Sequence, residues 1–258
     1  MVQIHPTAIV DPGASLEEGV VVGPFTIIGD RVTIGRGTRI GSHGVIEGEA
    51  EIGEGCQILH HAIIGVQPQD LKYRGEETRV RIGAQTVIRE FATIHRGTAG
   101  GGGVTVIGSR NYIMAYAHIA HDCLLGDDVV MASLSALAGH VVIEEHAIIG
   151  GLVGIHQFVK IGRHALVGAC SAVLQDIPPY VKVQGNRAKP YGLNTVGLRR
   201  HGFSEEVISR LKQAYRIVFL SGLNTTQALA RIEEELPSYP EVDHFVKFIR
   251  DSERGITR

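Results

Sequence analysis

The sequence has no tryptophan, few other aromatic residues and only three cysteines. Aromatic residues make up 5% of its 258 residues, whereas glycine occurs 33 times. Few large rings and many glycines favour narrow, tightly turned β structure over a broad globular core. The cysteines are odd in number and not closely spaced, which argues against a disulfide framework. We therefore expect a reduced, cytoplasmic protein, with Cys56 and Cys123 as small buried packing residues.

Charge and hydropathy argue against three further classes. The net charge of −2 gives no global reason to expect a nucleic-acid partner. No apolar run reaches the roughly 20 residues of a membrane-spanning helix. The opening residues MVQIHPTAIVDP lack the basic and apolar regions of a signal peptide. We expect no nucleic acid, no transmembrane segment and no secretory signal.

The feature that dominates the sequence is an aliphatic residue at every sixth position. The series runs from Val10 to Ile64 and resumes in phase from Ile82 to Ile94. It then continues, one position later, from Ile107 to Val173. Neither an α-helix of period 3.6 nor a strand of period 2 maintains this spacing. Hexapeptide repeats of this kind indicate a parallel β-helix built from short strands.

The repeat resembles that of the hexapeptide acyltransferases, in which three hexads make one triangular coil. The resemblance implies a mainly β fold, a left-handed parallel β-helix, although the usual chirality of parallel crossovers would favour the right hand. We place this domain over residues 1–189, with loop insertions near 67–81 and 97–105. The second insertion contains GTAGGGG without a following GK[ST], so it is interpreted as a flexible interface or lid loop and not as a nucleotide P-loop.

Residues 190–258 change to a helical pattern. Ser204 is a plausible N-cap with Glu205 and Glu206 in the first turn. A second helix is predicted from Thr225 or Thr226 to near Pro237, and a third from about Glu241 to Gly255. A solenoid needs its ends covered, so these helices are predicted to form a C-terminal cap.

Histidines recur on one face of the predicted prism. With 18 residues per coil, the hexads starting at Ile119, Leu137 and Ile155 are successive layers. They carry His121, His140 and His156, and stacked strands lie about 4.8 Å apart, which predicts one column of histidines with His118 beside it.

The column has three interpretations. The histidines are solvent-facing turn residues, or they bind a metal, or His121 is a general base that Asp122 orients. The close H-x4-H ligand pair of hexapeptide-fold carbonic anhydrases is missing, so no metal is predicted.

Several motifs sharpen the resemblance. They are AYAHIAHDC at 115–123, QDLKY at 69–73, IHRGT at 94–98, LAGH at 137–140, HQF at 156–158 and the C-terminal RGITR. Together they resemble the UDP-N-acetylglucosamine 3-O-acyltransferase family, which begins lipid A synthesis. The resemblance implies transfer of an (R)-3-hydroxyacyl chain from acyl carrier protein to the sugar 3-hydroxyl. It implies no cofactor beyond the phosphopantetheine of the carrier protein. The alternatives are a CoA-dependent hexapeptide acetyltransferase and a non-enzymatic β-helix binding protein.

The resemblance also implies roles for individual residues. His121 would be the base, Asp122 its orienting carboxylate, and the Gly139 N–H an oxyanion donor. Contacts to the sugar nucleotide or the acyl-pantetheine arm would come from Gln69, Asp70, Lys72, His118, His140, His156 and Gln157. Asn194 and Arg200 would hold the nucleotide and its phosphates. The family commonly has glutamate where Val196 stands and arginine where His201 stands, and arginine makes bidentate contacts that histidine does not.

Partners follow from charge and from the geometry of the coil. Residues 182–216 contain eight lysines and arginines against two glutamates, a local charge of +6 that suits an acidic carrier protein or phosphates. Ala169, at the position that limits acyl length in the family, falls on a different face from His121 and roughly 13 Å along the prism. Two prisms side by side would bring these faces together, and the family forms homotrimers, so we expect a homotrimer with sites between subunits.

Overall fold

The computed structural model describes residues 1–258. The chain winds into a three-sided parallel β-helix, because each coil contributes one short strand to each of three sheets. In the regular coils the paired residues are 18 apart, as in Ile119 with Leu137 and Leu137 with Ile155. This register confirms three hexads per coil.

The three sheets contain 11, 9 and 8 strands. The first sheet comprises Gln3–Ile4, Val21–Val22, Arg39–Ile40, Gln57–Ile58, Val87–Ile88, Tyr112–Ile113, Val130–Met131, Ile148–Ile149, Leu166–Val167, Val181–Gln184 and Lys189–Leu193. The second comprises Ile9–Val10, Ile27–Ile28, Val45–Ile46, Ile63–Val66, Thr93–His95, His118–Ile119, Ala136–Leu137, Gly154–Ile155 and Ala172–Val173. The third comprises Ser15–Leu16, Val32–Ile34, Glu49–Ile52, Arg79–Ile82, Val104–Ile107, Leu124–Leu125, Val142–Ile143 and Lys160–Ile161.

The core is a stack of the repeated aliphatic residues. Ile64, Ile94, Ile119 and Leu137 are fully buried, whereas the residue before each of them points outward. Two-residue strands suffice because side chains alternate between the two faces of a strand and each coil needs one inward residue per side. The hexad therefore encodes both the turn frequency and the core.

The three corners of the prism repeat one turn conformation. We call the corner between the first and second sheets the first corner, that between the second and third sheets the second corner, and the remaining one the third corner. At each, the third residue after the buried aliphatic residue commonly has a positive φ, as at His61 (59°), Asp122 (60°) and His164 (54°). Non-glycine residues pay a conformational cost for this geometry. Parallel ladder hydrogen bonds and stacking of equivalent side chains on adjacent coils offset that cost.

Both loop insertions leave the prism at the second corner, but each is shorter than predicted. The first spans 67–78, since Arg79–Ile82 is a strand, and the second spans 96–103, since Val104–Ile107 is a strand. The second insertion contains a short 3-10 helix, Ala99–Gly101.

The C-terminal part contains four helices, one more than the sequence predicts. They are α1 (Thr195–Arg200), α2 (Glu205–Leu220), α3 (Thr225–Glu235) and α4 (Pro240–Arg250). The N-cap at Ser204 is confirmed, while the short α1 was missed. Residue 189 is not where the helices start: Lys189–Leu193 is still a strand, paired antiparallel with Val181–Gln184.

The last eight residues are not helical, so the predicted helix end at Gly255 is wrong. Helix α4 ends at Arg250, and the chain returns to the final coil. There the Ser252 hydroxyl donates to Asp176 at 2.7 Å and the Thr257 hydroxyl donates to the Ala188 carbonyl at 2.6 Å. Helices α2 and α4 carry apolar faces against this end of the prism. No helix in the chain combines the length and apolarity of a membrane span.

Candidate active site

Five successive turns of the second corner converge on one place. In order they are the two insertions, the turn with His121 and Asp122, the turn with Gly139 and His140, and the turn with Gln157 and Phe158. Because parallel coils stack directly, residues from positions 67 to 158 become neighbours along about five layers.

The centre of the corner is a histidine–aspartate pair. The Nδ1–H of His121 donates to Oδ2 of Asp122 at 2.8 Å. The Asp122 side chain is completely buried, whereas 15% of the His121 side chain is exposed. A carboxylate held on Nδ1 leaves Nε2 as the acceptor, which is the tautomer that a general base requires.

Gly139 lies directly against the His121 ring. A Cβ at position 139 would stand 2.5 Å from Cε1 and 2.7 Å from Nε2 of His121, so only glycine fits without displacing the imidazole. The Gly139 N–H has no acceptor within the chain. At the same turn position of other coils, side chains of the chain itself accept this N–H: Ser109 donates to Asp127 at 2.8 Å and Arg36 to Glu17 at 2.9 Å. The turn therefore binds oxyanions elsewhere, and at Gly139 the donor is free beside the base.

The neighbouring histidines are held neutral. Burial lowers the pKa of His95 to about 4, with further lowering by His118 and His121. Burial also lowers the pKa of His118 and of His140, although the Asp122 charge opposes the shift at His140. His118 Nδ1 lies 2.7 Å from the Thr93 hydroxyl. Neutral imidazoles offer hydrogen bonds without repelling an imidazolium formed at His121.

An open cleft of about 560 Å³ lies over the pair. Its lining includes six residues that the sequence predicted for the site: Gln69, His118, His121, Gly139, His156 and Gln157. Small and apolar residues complete the cleft: Ala120, Ala136, Leu137, Ala138, Gly154, Ile155 and Leu174. This mixture suits a ligand with a polar head and an apolar chain.

The predicted single column of histidines is wrong in detail. His121, His140 and His156 occupy different positions within their hexads, so they are staggered and do not stack. His140 stacks on Phe158, 18 residues later, with ring centroids 4.4 Å apart, and meets His121 edge-on at 5.1 Å. His156 is exposed, and its Nδ1 lies 3.1 Å from the Gln157 carbonyl oxygen.

Two predicted residues of the first insertion lie beside the cleft or at its rim. Asp70 accepts from the Lys72 backbone N–H at 2.9 Å, and its charge acts on His140. Lys72 is exposed. The insertion is held by Arg96, whose guanidinium donates to the Tyr73 hydroxyl and to the Gly65 carbonyl.

The remaining predicted residues lie outside the cleft of a single chain. Asn194 is buried as the N-cap of α1, where Oδ1 accepts from Gly197 and Nδ2 donates to the His164 carbonyl at 3.0 Å. Arg200 is exposed at the end of α1. Ala169 is exposed at the first corner, on the strand turn of a different sheet from His121.

The two departures from the family pattern sit near Arg200. Val196 is 57% exposed. His201 packs against His146 and His164, with ring centroids 4.7 and 4.9 Å away. Its ring is thus part of the junction between α1 and the third corner.

A metal was not predicted, yet the structure groups three possible ligands. One donor atom each of His121, Asp122 and His140 lies within 4.8 Å of the others. In this arrangement His121 Nδ1 already donates to Asp122, and both Asp122 oxygens accept from Thr98. A carboxylate and an imidazole nitrogen that are already paired make a poor donor set for zinc.

The thiols are unsuited to nucleophilic chemistry. Cys123 is fully buried beside the pair, its Sγ–H donates to the Ala138 carbonyl, and burial raises its pKa to about 12. Burial also raises the pKa of Cys56. The prediction that both are packing residues is confirmed.

Sequence reasoning missed several residues at the site. Phe158 could have been found by adding one coil of 18 residues to His140. Thr93, one coil below His118 apart from the intervening insertion, contacts it in register. Thr98 lies inside an insertion, where the hexad gives no register, and only its place in the IHRGT motif marks it.

The prism and this corner define a hexapeptide-repeat transferase, and the comparisons agree. The bacterial transferase hexapeptide model matches residues 13–48 and 104–139. The model for domain 2 of UDP N-acetylglucosamine O-acyltransferase matches residues 176–257.

The family is set by full-length relatives. The acyl-[acyl-carrier-protein]–UDP-N-acetylglucosamine O-acyltransferase of Alkalilimnicola ehrlichii is 55% identical over all of both chains, and that of Anaeromyxobacter dehalogenans is 55% identical over 99% of both. Among solved structures, LpxA from Acinetobacter baumannii is 46% identical over 99% of both chains with a TM-score of 0.96. The UDP-N-acetylglucosamine acyltransferase from Bacteroides fragilis is 41% identical over 98% of this chain and 99% of its own, with a TM-score of 0.96.

The chain belongs to the UDP-N-acetylglucosamine O-acyltransferase family. Its fold is the left-handed β-helix of these enzymes, because a TM-score of 0.96 requires the same path of the chain, including its hand.

Proposed function

We propose that the protein transfers an (R)-3-hydroxyacyl chain from acyl carrier protein to the 3-hydroxyl of UDP-N-acetylglucosamine, the first step of lipid A synthesis. The observation that carries the mechanism is the buried His121–Asp122 pair with an unused Gly139 N–H beside it.

The residues support a direct transfer. Nε2 of His121 takes the proton of the sugar hydroxyl as its oxygen attacks the thioester carbonyl. The oxyanion of the tetrahedral intermediate accepts the Gly139 N–H. When the carbon–sulfur bond breaks, the thiolate of the phosphopantetheine takes the proton from the imidazolium. The products are the 3-O-acyl sugar nucleotide and the carrier protein with a free thiol, and no cofactor is consumed.

Neutral side chains around the base suit these substrates. His118 and His140 contribute hydrogen bonds without charge, as a sugar hydroxyl and an amide-containing pantetheine arm require. The small residues Ala136 and Gly154, on adjacent strands of the second sheet, leave room for an apolar chain. Basic residues of the 182–216 segment would bind the acidic carrier protein or the diphosphate. Arg199 is less available, because it pairs with Glu205.

We infer a homotrimer with sites between subunits. An exposed apolar ridge runs along the first corner through Phe25, Phe91, Tyr116, Leu134 and Leu152, each at least 42% exposed. A ridge of this length is unusual on a monomer and favours a protein contact. Ala169 lies at the same corner, so the first corner of one subunit set against the cleft of the next would close the acyl groove. Free thiols and the substrate pair suit a cytoplasmic location.

The test is product analysis by mass spectrometry. The protein is incubated with UDP-N-acetylglucosamine and 3-hydroxyacyl carrier protein, and separately with acetyl-CoA as donor. A 3-O-acylated sugar nucleotide formed only with the carrier-protein donor supports the proposal. Transfer from acetyl-CoA alone would support the acetyltransferase alternative, and binding without transfer would support a binding protein.

A further inference from the structure

We propose that Thr98, held by the glycine-shaped loop 97–103, is a positioning residue that fixes the Asp122 carboxylate for the reaction. This inference rests on the proposed function, because it concerns the base pair that would carry out the transfer. The loop was predicted to be a flexible lid, but the structure anchors it. Gly101 and Gly103 donate to the Thr98 carbonyl, and Gly97 and Arg79 bond across the loop base.

Thr98 contacts both oxygens of the carboxylate. Its backbone N–H donates to Oδ1 at 2.9 Å, and its hydroxyl donates to Oδ2 at 2.6 Å. The hydroxyl therefore shares Oδ2 with His121 Nδ1–H, which lies 2.8 Å away. The Asp122 N–H donates to the Thr105 hydroxyl at 2.8 Å, so the backbone beneath the carboxylate is held as well.

The Thr98 hydroxyl is diverted from its usual role to make this contact. Thr98 is the N-cap of the 3-10 helix Ala99–Gly101, yet its side chain makes no capping hydrogen bond. An N-cap hydroxyl ordinarily accepts from the backbone. Here it donates to a buried charge instead, and a charge-assisted hydrogen bond of this kind is among the stronger ones.

The glycines of the loop make space for the carboxylate. A Cβ on Gly101 would stand 2.0 Å from Cγ and 2.2 Å from Oδ2 of Asp122, and one on Gly97 would stand 2.8 Å from Oδ1. At Gly100, by contrast, a Cβ would meet nothing within 4 Å, and its φ is not positive. Gly100 is therefore a matched control for Gly101.

Thr98→Val and Thr98→Ser separate the hydroxyl from the volume of the side chain. Valine keeps the shape and the backbone N–H but removes the O–H donor. We expect kcat to fall about 10- to 100-fold with the KM for the sugar nucleotide within about twofold, the size of one hydrogen bond to a charged group. Serine should restore most of kcat. Gly101→Ala should lose at least as much as Thr98→Val, and Gly100→Ala should stay within about twofold of the wild type.

The pH profile gives a readout that a merely structural role would not move. The hydroxyl stabilises the anionic pair more than the protonated pair, so its loss raises the proton affinity of the coupled pair. The acid limb of the pH–rate profile should move up by about 0.5–1 pH unit in Thr98→Val, and return in Thr98→Ser. The NMR titration midpoint of the His121 ring should move in the same direction.

The outcomes separate the two proposals. If the wild type forms no acylated product, the proposed function fails, and the His121 NMR titration alone judges the role of Thr98. If Thr98→Val, folded by circular dichroism, keeps the wild-type kcat and titration midpoint, the positioning role is rejected. A Thr98→Ser variant as impaired as Thr98→Val would also reject it, because bulk and not the hydroxyl would then matter.

Discussion

Two turns of the prism place histidine at the same hexad position, yet only one has the environment of a catalytic site. His60 and His61 follow Ile58 at the first corner, as His121 and Asp122 follow Ile119 at the second. His60 is exposed, and its Nδ1 lies 2.8 Å from the Ser42 hydroxyl. His121 is mostly covered and meets a buried carboxylate. The coil supplies equivalent positions at every corner, whereas the two insertions, which occur only at the second corner, supply the buried environment.

Replacing each histidine by alanine tests this comparison most strongly. His121→Ala should lower kcat by roughly 100- to 10,000-fold, because a general base contributes about that much. His60→Ala should change it by no more than about twofold. Acylation rates and circular dichroism on both variants check the expectation. A folded His121→Ala enzyme with near-full activity would reject the base assignment.

Arg200 tests whether the helical cap adds charge to the site. Arg200→Ala should weaken binding of the sugar nucleotide or the carrier protein by about 10- to 150-fold at low salt, the value of a charge-assisted contact to phosphate. The loss should shrink as salt screens the interaction. Arg199→Ala is the control, since Arg199 pairs with Glu205. Calorimetric titration of both ligands measures the effect, and unchanged affinities at low ionic strength would remove the role.

Ala169 tests whether the first corner contributes to a neighbouring site. Each buried methylene is worth about 0.8 kcal/mol, or roughly fourfold in binding. Ala169→Gly should therefore favour acyl chains longer by about one or two carbons, and Ala169→Met should favour shorter ones. Competition among carrier proteins bearing 3-hydroxyacyl chains of graded length measures the optimum. The same optimum in all three proteins would show that Ala169 does not limit the groove.

His164 compares a buried corner histidine with an exposed one. Burial, followed by His146, His201 and Arg163, lowers its pKa to about 4. The folded state thus favours the neutral ring, and stability is lost as the pH falls from about 6.5 to 4. Rings also face it from Tyr180 and Phe203.

His164→Phe should reduce the loss of unfolding free energy between pH 7 and 4.5 by roughly 2–3 kcal/mol. Phenylalanine already occupies equivalent positive-φ positions at Phe25 and Phe158. His43→Phe, at the exposed first corner, is the control and should leave the pH dependence nearly unchanged. Urea unfolding at the two pH values measures both, and equal pH dependence in wild type and His164→Phe would contradict the assignment.

The smallest effect is expected from metal removal. Since the donor atoms of His121 and Asp122 are already paired with each other and with Thr98, chelators should leave activity unchanged within error. Stoichiometric zinc, with activity lost on its removal and regained on its return, would overturn this prediction.

The hexad predicted the prism well because one rule places an inward aliphatic residue, a tight turn and the coil register together. It identified the layers of Ile119, Leu137 and Ile155 correctly. It could not predict the stagger of His140 and His156, since that depends on which position of the turn each occupies. It also gave no access to Thr98, because an insertion breaks the register. Helix α1 escaped notice since six residues are too few for a helical period.

The return of the final residues to the last coil has a mechanical consequence. A β-helix ends in unpaired backbone groups, onto which a strand of another molecule can add. Here the hairpin of 181–193 and the segment around Ile256, which bridges Asp176, occupy that end. The helices between them are thereby tethered at both ends and close like a clasp over the terminus. Release of the Ser252 and Thr257 contacts would open the clasp and expose a template for end-to-end growth.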